Sequence, residues 1–517
     1  MPRELITVSV GQAGNQIGSR FWELAVQEHA AANPDGVFDD AMGSFFQHVD
    51  AQGSPVGAAP PGAATAGAAA PPRPIQQLRA RGVLVDMEEG VVDGMLRGPL
   101  GELFDRQRQA VTDVSGAGNN WAAGWASCGP AHHEQLVDAL RAEASDSLQG
   151  FLLLHSLGGG TGSGVGSYIL HMLEDEYPEA LRCALSVLPD ECTSDVVTAP
   201  YNALLSLARL QEHADWVLPV ENQALAAACG AAAKAAAPGT AAARRPGADG
   251  GGEASPFGAM NKLAADLVLN LTASMRFGGQ LNLDLGEIAT NLVPFPRLHF
   301  LAPAMSPLAP PRAAGGRQGP AGAAGAAAGQ RCVDQAFLDV LQPAHQLVKL
   351  HPKQTSLACA LIVRGAAAAA DLPRNIDRLR RSIRLPRWNP DGFKIAMCTR
   401  PPLGAPLSLL SLSNSCGLAD TFTGLHARFQ ALYRRRLYTH HYEQHIELAE
   451  LEAAGEAAAW LADSYRQLVD ASRPPDPARL RGLQSDGGSF GQNSLRQVPG
   501  VAAVGGTAAA AVTTKRR

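Results

Sequence analysis

The stretch HSLGGGTGSG, residues 155–164, places five glycines within ten residues, directly behind the apolar run FLLL at 151–154. An apolar run followed by a glycine-rich bend is typical of phosphate-binding loops, because glycine lets backbone N–H groups approach an anion closely. The spacing excludes two common versions. Val165 follows Gly164 where a Walker loop needs lysine, and no register fits G-x-G-x-x-G. A glycine turn without a ligand is the alternative for the tract taken alone.

Polar and glycine-rich segments follow the other predicted strands as well. Hydrophobic patterning predicts buried strands, alternating with helices, at 5–10, 83–87, 151–154, 183–188 and 216–220. This alternation predicts an α/β fold with a parallel sheet, whose ligands lie at the carboxyl ends of the strands. The segments at those ends are GQAGNQ (11–16), DMEEG (86–90), SGAGNN (115–120), SDVVTAPYN (194–202) and VENQ (220–223). The sequence therefore predicts one extended nucleotide pocket along a single sheet edge.

Composition excludes several classes of function. The chain has 517 residues, 46% of them hydrophobic, and a formal net charge of −5, which predicts no general attraction to nucleic acid or anionic membranes. Its 8 cysteines include no C-x-x-C pair, which argues against a zinc site and a disulfide framework. With no basic-then-apolar leader and no apolar run of about 18 residues, we expect a soluble cytosolic protein with no membrane partner.

Low-complexity tracts interrupt the patterned sequence. Segments rich in alanine, glycine and proline lie at 53–74, 237–255, 309–330 and 496–512. Such tracts bury too little apolar area to offset the entropy of ordering them, so they are predicted to be surface insertions and a loose tail. A long helix is predicted at about 257–274, followed by strands of a second, mixed domain. From residue 419 the pattern is helical until about residue 473.

Six motifs together resemble the tubulin family: GQAGNQIG, SGAGNNWA, HSLGGGTGSG, APYN, RFGGQLN and NLVPFPRLHF. They follow in family order, and the resemblance covers roughly residues 3–445 apart from the insertions. The segments FWELAVQEHA, SFFQHVD, VDMEEGVV and ALYRRRLYTHHY are most similar to the class of tubulins associated with centrioles and basal bodies. The implied organisation is a GTP-binding domain (1–256), a core helix with a mixed α+β intermediate domain (257–418), C-terminal helices (419–473) and a tail (474–517).

The resemblance implies a binding site for GTP or GDP. Its predicted residues are Gln12, Asn119, Asn120, Ser156, Gly158, Gly159, Gly160, Thr161, Gly162, Asp195, Tyr201, Asn222, Phe257 and Asn261. The glycines and hydroxyls hold the phosphates, and a branched side chain at Gly160 is expected to fill the space that a phosphate needs. Asp195 and Tyr201 match the ribose loop. Asn222 and Asn261 match the pair that bonds the guanine edge, because an amide offers both donor and acceptor.

Two further features of the site follow from the same resemblance. Phe257 is expected to stack on the base, although as a bare sequence feature it is more often a core residue. Asp86 and Glu88 match the acidic loop that positions Mg²⁺, through water as suits that ion. Glu89 stands where the family usually has proline, so metal affinity could differ.

The segment LNLDLGEIATNLVPFP (281–296) matches the part of tubulins that faces the nucleotide of the next subunit. None of the predicted phosphate loops offers a general base close to the γ-phosphate, and a carboxylate can orient or deprotonate the attacking water. The resemblance therefore implies a catalytic role for Glu287 toward a neighbouring subunit, with Asp284 in support. The alternative is that Glu287 is a surface helix residue with no partner.

The function implied by the resemblance is structural. We expect a tubulin of centriolar or basal-body microtubules, needed for centriole or basal-body assembly and ciliogenesis, in the cytoplasm and cytoskeleton at the centrosome, centriole or basal body. Its expected partners are other tubulins, through longitudinal contacts, and centriole or basal-body proteins. The alternatives are a GTP-binding adaptor that does not polymerise and a stand-alone soluble GTPase. The end GTAAAAVTTKRR lacks the glutamate-rich tail of alpha- and beta-tubulins, so tail-dependent motor recognition is not expected.

Overall fold

The computed structural model describes residues 4–50, 55–56, 73–145, 147–189, 196–236, 256–279, 281–308, 333–350, 354–365, 367 and 369–469. The predicted insertions at 237–255 and 309–330, most of the one at 53–74, and the tail after residue 473 lie outside these residues, as does Asp195.

The strands alternate with helices through the N-terminal half and then form a second group. They are β1 (Glu4–Val10), β2 (Val37–Phe38), β3 (Phe46–Val49), β4 (Arg73–Pro74), β5 (Gln77–Ala80), β6 (Gly82–Asp86), β7 (Ala110–Thr112), β8 (Leu148–Ser156), β9 (Leu181–Leu188), β10 (Trp216–Glu221), β11 (Ala302–Ser306), β12 (Ser356–Gly365), β13 (Phe393–Cys398) and β14 (Leu407–Ser415).

The α-helices follow the same division along the chain. They are α1 (Gly11–Ala32), α2 (Asp40–Gly43), α3 (Glu89–Leu96), α4 (Arg106–Gln109), α5 (Trp121–Ala123), α6 (Gly129–Ala131), α7 (His133–Glu143), α8 (Gly166–Glu176), α9 (Ala199–His213), α10 (Asn222–Ala236), α11 (Pro256–Leu271), α12 (Ala273–Arg276), α13 (Leu285–Leu292), α14 (Leu372–Ser382), α15 (Leu418–Tyr433) and α16 (Leu448–Leu468).

A six-stranded parallel sheet forms the N-terminal part, with the strand order β10-β9-β8-β1-β6-β7. Every residue of β1 is buried, as expected of a parallel strand with helices on both faces of its sheet. The sequence predicted all of these strands except β7, whose three residues are too few to show a period. The predicted α/β fold with a parallel sheet is confirmed.

A second, four-stranded sheet has the order β11-β14-β12-β13. Strand β12 pairs antiparallel with β14 and parallel with β13, so this sheet is mixed. The sequence predicts strands of a second α+β domain here but not how they pair. Helix α11 connects the two parts, since it packs on α1 and also contacts β14. The predicted single helix at about 257–274 is two helices, because α11 ends at Leu271 and α12 begins at Ala273. The predicted C-terminal helices are α15 and α16, which pack on each other and on α9.

A buried group of three charges joins these parts. Glu28 of α1 accepts a hydrogen bond of 2.7 Å from Nη1 of Arg276 in α12, and its other carboxylate oxygen lies 2.7 Å from Nη2 of Arg364 in β12. The Arg364 contact is an ion pair without an aligned hydrogen bond. All three side chains are at most 3% exposed. Burial lowers the pKa of Arg276 to about 10, so this guanidinium stays charged at neutral pH.

Removal of the Glu28 carboxylate is expected to destabilise the protein strongly. In a Glu28→Ala variant two buried guanidinium groups lose their counter-charge, and such a change costs about 3–5 kcal/mol of unfolding free energy. Glu23→Ala is the matched control, since Glu23 pairs with Arg20 on the same helix but is 43% exposed, and an exposed pair contributes at most about 1 kcal/mol. Denaturant unfolding at saturating nucleotide measures both; equal losses in the two variants contradict this account.

Candidate nucleotide-binding site

The loops after β1 and β8 lie in direct contact at the carboxyl edge of the parallel sheet. Gly11 has a φ of +71°, and a Cβ there would lie 2.8 Å from the backbone nitrogen of Gly162, so only glycine fits. The glycine tract turns through a π-helical segment, Thr161–Val165, into α8. The N-termini of α1 and of the helical segment that begins at Thr161 therefore lie side by side. The backbone N–H groups in the first turn of a helix and the helix dipole both favour a bound anion.

The loop at 115–120 is packed against the same tract. A Cβ at Gly160 would lie 2.7 Å from both the Ala117 carbonyl oxygen and the Asn120 nitrogen. We expected a side chain at this position to fill phosphate space, but its first clash is with the neighbouring loop. Gly159 differs, because the nearest atom to a Cβ there is the Asn119 side-chain oxygen at 3.6 Å.

Asn202, the last residue of the APYN motif, holds these loops together. Its buried Nδ2 donates to the carbonyl oxygens of Asn119 at 2.8 Å and of Gly158 at 2.9 Å. Its Oδ1 accepts from the Trp121 backbone nitrogen at 2.9 Å and from the Tyr442 hydroxyl at 2.6 Å. Four hydrogen bonds from one amide thus fix the glycine tract, the 115–120 loop and the start of α5. The APYN motif carries part of the family resemblance, but the sequence alone predicts no role for Asn202.

His155, the first residue of the glycine stretch, is a second positioning residue that the sequence analysis missed. Its Nδ1 lies 2.8 Å from the Gly162 carbonyl oxygen, and its Nε2 lies 2.7 Å from the Ser186 hydroxyl. Burial lowers the pKa of His155 to about 4, so the ring is neutral. A neutral ring with its proton on Nδ1 donates to the Gly162 carbonyl and accepts from Ser186. This bond fixes the orientation of the peptide between Gly162 and Ser163.

The remaining residues predicted for the phosphates have different surroundings. Ser156 ends β8, and its hydroxyl accepts a hydrogen bond of 3.3 Å from the Gly158 nitrogen. Thr161 is half-buried at the start of the π-helical segment, and Gln12 is exposed in the first turn of α1. Asn120 caps α5 by accepting from the Ala122 nitrogen at 2.9 Å, and it donates to the His441 carbonyl at 2.9 Å. Its side chain is thus engaged in protein contacts.

The residues predicted for the base lie on adjacent helices. Asn222 is the first residue of α10. The side-chain amide of Asn261 on α11 donates a hydrogen bond of 3.0 Å to the side-chain oxygen of Gln16 on α1. Phe257 is 55% exposed, which contradicts the core alternative, and it stands one turn before Asn261 on the same helix face. The guanine contact of Asn222 and Asn261 stays a prediction, and Gln16 is a further polar neighbour that the sequence analysis did not single out.

Tyr201 is fully buried, and its environment differs from that of a ligand-contacting residue. Its hydroxyl donates a hydrogen bond of 2.8 Å to the Leu437 carbonyl, and its ring packs against the rings of Phe429 and Tyr442. The side chain therefore joins α9 to the C-terminal segment. The ribose contact predicted for Tyr201 stays a prediction.

The carboxylates predicted for Mg²⁺ stand at the end of β6. Asp86 is 3% exposed, and its Oδ2 is buried without a hydrogen-bond partner among the described residues. Burial raises the pKa of Asp86 to about 6, against the lowering effect of the Glu88 backbone N–H. Glu88 is exposed beside it. An unsatisfied buried carboxylate oxygen beside an exposed carboxylate is a donor set that a hard cation such as Mg²⁺ fits.

Glu287 and Asp284 lie at the opposite edge of the sheet. Asp284 caps α13, because its side chain accepts a hydrogen bond of 2.7 Å from the Glu287 backbone nitrogen. A carboxylate oxygen of Glu287 lies 3.4 Å from Nζ of Lys394 in β13. The indole of Trp216, the first residue of β10, donates to the Leu285 carbonyl at 3.3 Å. Helix α13 therefore starts at the amino end of β10, whereas Asn222 follows its carboxyl end. A six-residue strand is about 20 Å long, so Glu287 is remote from the loops of its own chain.

The geometry by itself defines the class of this protein. A parallel sheet with lysine-free phosphate loops at its carboxyl edge, followed by a core helix and a mixed sheet, is a nucleotide-binding α/β protein of a non-Walker, non-Rossmann kind. Residues 4–230 match the Tubulin/FtsZ family, GTPase domain, and residues 296–427 match the Tubulin C-terminal domain.

Curated relatives extend this similarity over nearly the whole chain. The chain is 42% identical to a tubulin epsilon chain of Mus musculus, over 92% of this chain and 98% of the relative. It is also 42% identical to a Homo sapiens tubulin epsilon chain, over 90% and 95%. A tubulin beta-2 chain of Suillus bovinus is 32% identical, over 94% and 100%.

The chain belongs to the tubulin family, and its N-terminal domain is a GTP- and GDP-binding domain. This family membership implies association with other tubulins. Among the described helices, none is both long and apolar enough to cross a membrane.

An Asn202→Ala variant is expected to bind GTP at least about tenfold more weakly. It leaves two carbonyls and a backbone N–H without their partner, and unpaired buried groups cost about 1–3 kcal/mol each. Tyr442→Phe removes one of the four bonds and is expected to have a smaller effect. Asn389→Ala is the control, because that amide donates 3.0 Å to the Leu357 carbonyl, outside the nucleotide loops. Competition with a fluorescent guanine nucleotide gives the affinities, and an unchanged Asn202→Ala affinity refutes the role.

A Gly160→Ala variant is expected to lose nucleotide because its methyl group separates the glycine tract from the 115–120 loop. The shortest contacts are to backbone atoms, which cannot rotate away. Gly424→Ala on α15 is the control, since a Cβ there meets no atom within 4 Å. The nucleotide content of each purified protein is the measurement. A full complement in Gly160→Ala would falsify this packing argument.

Proposed function

We propose that this chain is a GTP-binding tubulin of the epsilon type, acting as a structural component of centriole or basal-body microtubules. Two observations support the proposal: the similarity to tubulin epsilon chains over nearly their whole length, and the placement of the nucleotide loops and Glu287 at opposite edges of one sheet. In this proposal the protein is part of the cytoplasmic cytoskeleton at the centrosome or basal body, and it supports centriole assembly and ciliogenesis.

The edge-to-edge separation is the observation on which the mechanism depends. In a head-to-tail arrangement of subunits, α13 of one subunit meets the carboxyl edge of the next subunit's sheet. Glu287 then orients the water that attacks the γ-phosphate of that neighbour, while Asp284 holds the first turn of α13. Lys394 competes for the Glu287 carboxylate within the chain and is released when the contact forms.

Several residues of this chain hold the nucleotide in the proposal. The backbone amides of 158–162 and the N-terminus of α1 bind the phosphates, because the described loops around them contain no lysine or arginine. Asp86 and Glu88 hold Mg²⁺, which would supply positive charge at the β- and γ-phosphates. Asn222 and Asn261 select guanine, Phe257 covers the base, and Asp195 contacts the ribose.

Hydrolysis is expected to depend on a neighbour. In mixtures with an assembling tubulin, a Glu287→Ala variant should stimulate hydrolysis in its neighbour at least about tenfold less than the parent, since a positioned acid or base contributes 10²–10⁴-fold in typical cases. Thr290→Ala, an exposed change on α13 whose hydroxyl bonds to the Gly286 carbonyl, is the control and should act as the parent does. Phosphate released per assembled chain is measured.

Protein concentration separates the alternatives. For an assembling tubulin the hydrolysis rate per chain rises with concentration, whereas for a stand-alone GTPase it stays constant. A non-polymerising adaptor binds GTP but forms no head-to-tail complexes at any concentration. Equal stimulation by the Glu287→Ala variant and the parent eliminates the catalytic role.

A further inference from the structure

A cluster of imidazole and carboxylate groups lies where α8 meets the C-terminal end of α9. Its residues belong to these two helices and not to the nucleotide loops. His171 and Glu174 stand three residues apart on α8 and so share one helix face, and His213 is the last residue of α9. One ligand atom from each of the three lies within 4.8 Å of the others. The Nδ1 of His213 is already 2.6 Å from a Glu174 oxygen.

The hydrogen bonding of the two histidines leaves ligand atoms available. The Nδ1 of His171 is buried and has no hydrogen-bond partner in the described structure. Its other nitrogen, Nε2, lies 3.8 Å from a carboxylate oxygen of Asp175. The Nε2 of His213 likewise lies 3.8 Å from Glu212. Metal-ligating histidines usually donate their other ring nitrogen to a carboxylate, which orients the ring. Asp175 and Glu212 lie near those nitrogens, but at 3.8 Å they are beyond hydrogen-bond distance in this structure.

We propose that His171, Glu174 and His213 form a binding site for a transition-metal dication, with Zn²⁺ as the ion that the ligand set fits. Two imidazoles and one carboxylate are zinc ligands, whereas Mg²⁺ and Ca²⁺ prefer oxygen alone. Ligand atoms in a tetrahedral zinc site lie about 3.4 Å apart, so modest side-chain rotations close the cluster on an ion. The fourth position is open to water, since Glu174 is 42% exposed.

Neighbouring cations do not prevent binding. Nη2 of Arg182 lies 3.9 Å from a carboxylate oxygen of Glu174. The Nε of Arg182 donates a hydrogen bond of 2.7 Å to the His213 carbonyl, and a carboxylate oxygen of Asp215 lies 4.0 Å from Nη2 of the same arginine. Arg209 is paired with Glu212 at 2.9 Å and covers the ring of Trp125 at 4.7 Å. Arg182 can therefore yield Glu174 to an ion and keep other partners.

A metal ion at this site would join α8 to the C-terminal end of α9. Helix α8 continues from the glycine tract, and α9 contains Asn202 near its start. A bond between α8 and the far end of α9 therefore stabilises both helices that support the phosphate loops. An ion that binds the folded state alone raises the unfolding temperature.

The test uses the full-length chain with its bound nucleotide, stripped of transition metals by chelator and then titrated with ZnCl₂. We expect one zinc per chain after desalting, a rise in the unfolding midpoint with Zn²⁺ that Mg²⁺ does not reproduce, and the visible absorption of four-coordinate Co²⁺ on substitution. His171→Gln and Glu174→Gln should each weaken zinc binding at least about tenfold. His440→Gln, an exposed histidine outside the cluster, should bind as the parent does.

Circular dichroism and nucleotide content confirm that each variant is folded, and the milder Glu174→Gln keeps the test valid if His171→Gln fails to fold. The proposal is overturned if the parent binds no zinc after desalting. It is also overturned if the cluster variants and His440→Gln bind zinc with the same affinity, because the ion then sits elsewhere on the chain.

Discussion

The side-chain amide of Asn202 is the contact on which the nucleotide-binding edge depends. Parallel strands end at one edge, but the loops that follow them leave backbone groups unpaired, and buried unpaired groups are costly. Asn202 satisfies the carbonyls of Asn119 and Gly158, in two different loops, and the backbone N–H of Trp121 at the start of α5, and it binds the hydroxyl of Tyr442 as well. Because the same amide contacts the C-terminal segment, the shape of the phosphate loops is linked to the packing of the C-terminal region.

Electrostatics at this edge rely on the backbone. Lysine and arginine are absent from the described loops at the carboxyl edge, so helix N-termini and free amides provide the positive potential. The neutral ring of His155 holds the Gly162 carbonyl by a hydrogen bond and adds no charge. A site built from amides holds an anion in one orientation, since its donors are fixed by the fold. Asp86 is a strongly buried carboxylate at the end of β6, and its role as a magnesium ligand stays a prediction.

In the proposed function, the two ends of the parallel sheet have separate tasks. The nucleotide loops occupy the carboxyl edge, and α13 with Glu287 begins at the amino edge, where Trp216 bonds to Leu285. The length of the strands separates these two edges, and the buried group of Glu28, Arg276 and Arg364 joins helix α1 to α12 and to β12 of the second sheet. If Glu287 acts as proposed, a neighbour brings the carboxylate to the nucleotide, and assembly and hydrolysis are then one event.

Local pattern was enough to predict the parallel sheet, because apolar periodicity depends on neighbours in the chain. The assignment of the glycine tract to phosphate binding, which depends on local glycine content, stays a prediction. The same pattern missed β7, which is a strand only because β6 lies beside it. It also gave no role to Asn202 and a different reason for Gly160, since both depend on loops that are remote in sequence. The cluster of His171, Glu174 and His213 had no spacing signal at all, because its third member comes from another helix. Local sequence thus determined most of the strands and helices and the glycine-rich bends, and tertiary structure alone decided which side chains meet, because contacts between remote segments are formed by packing.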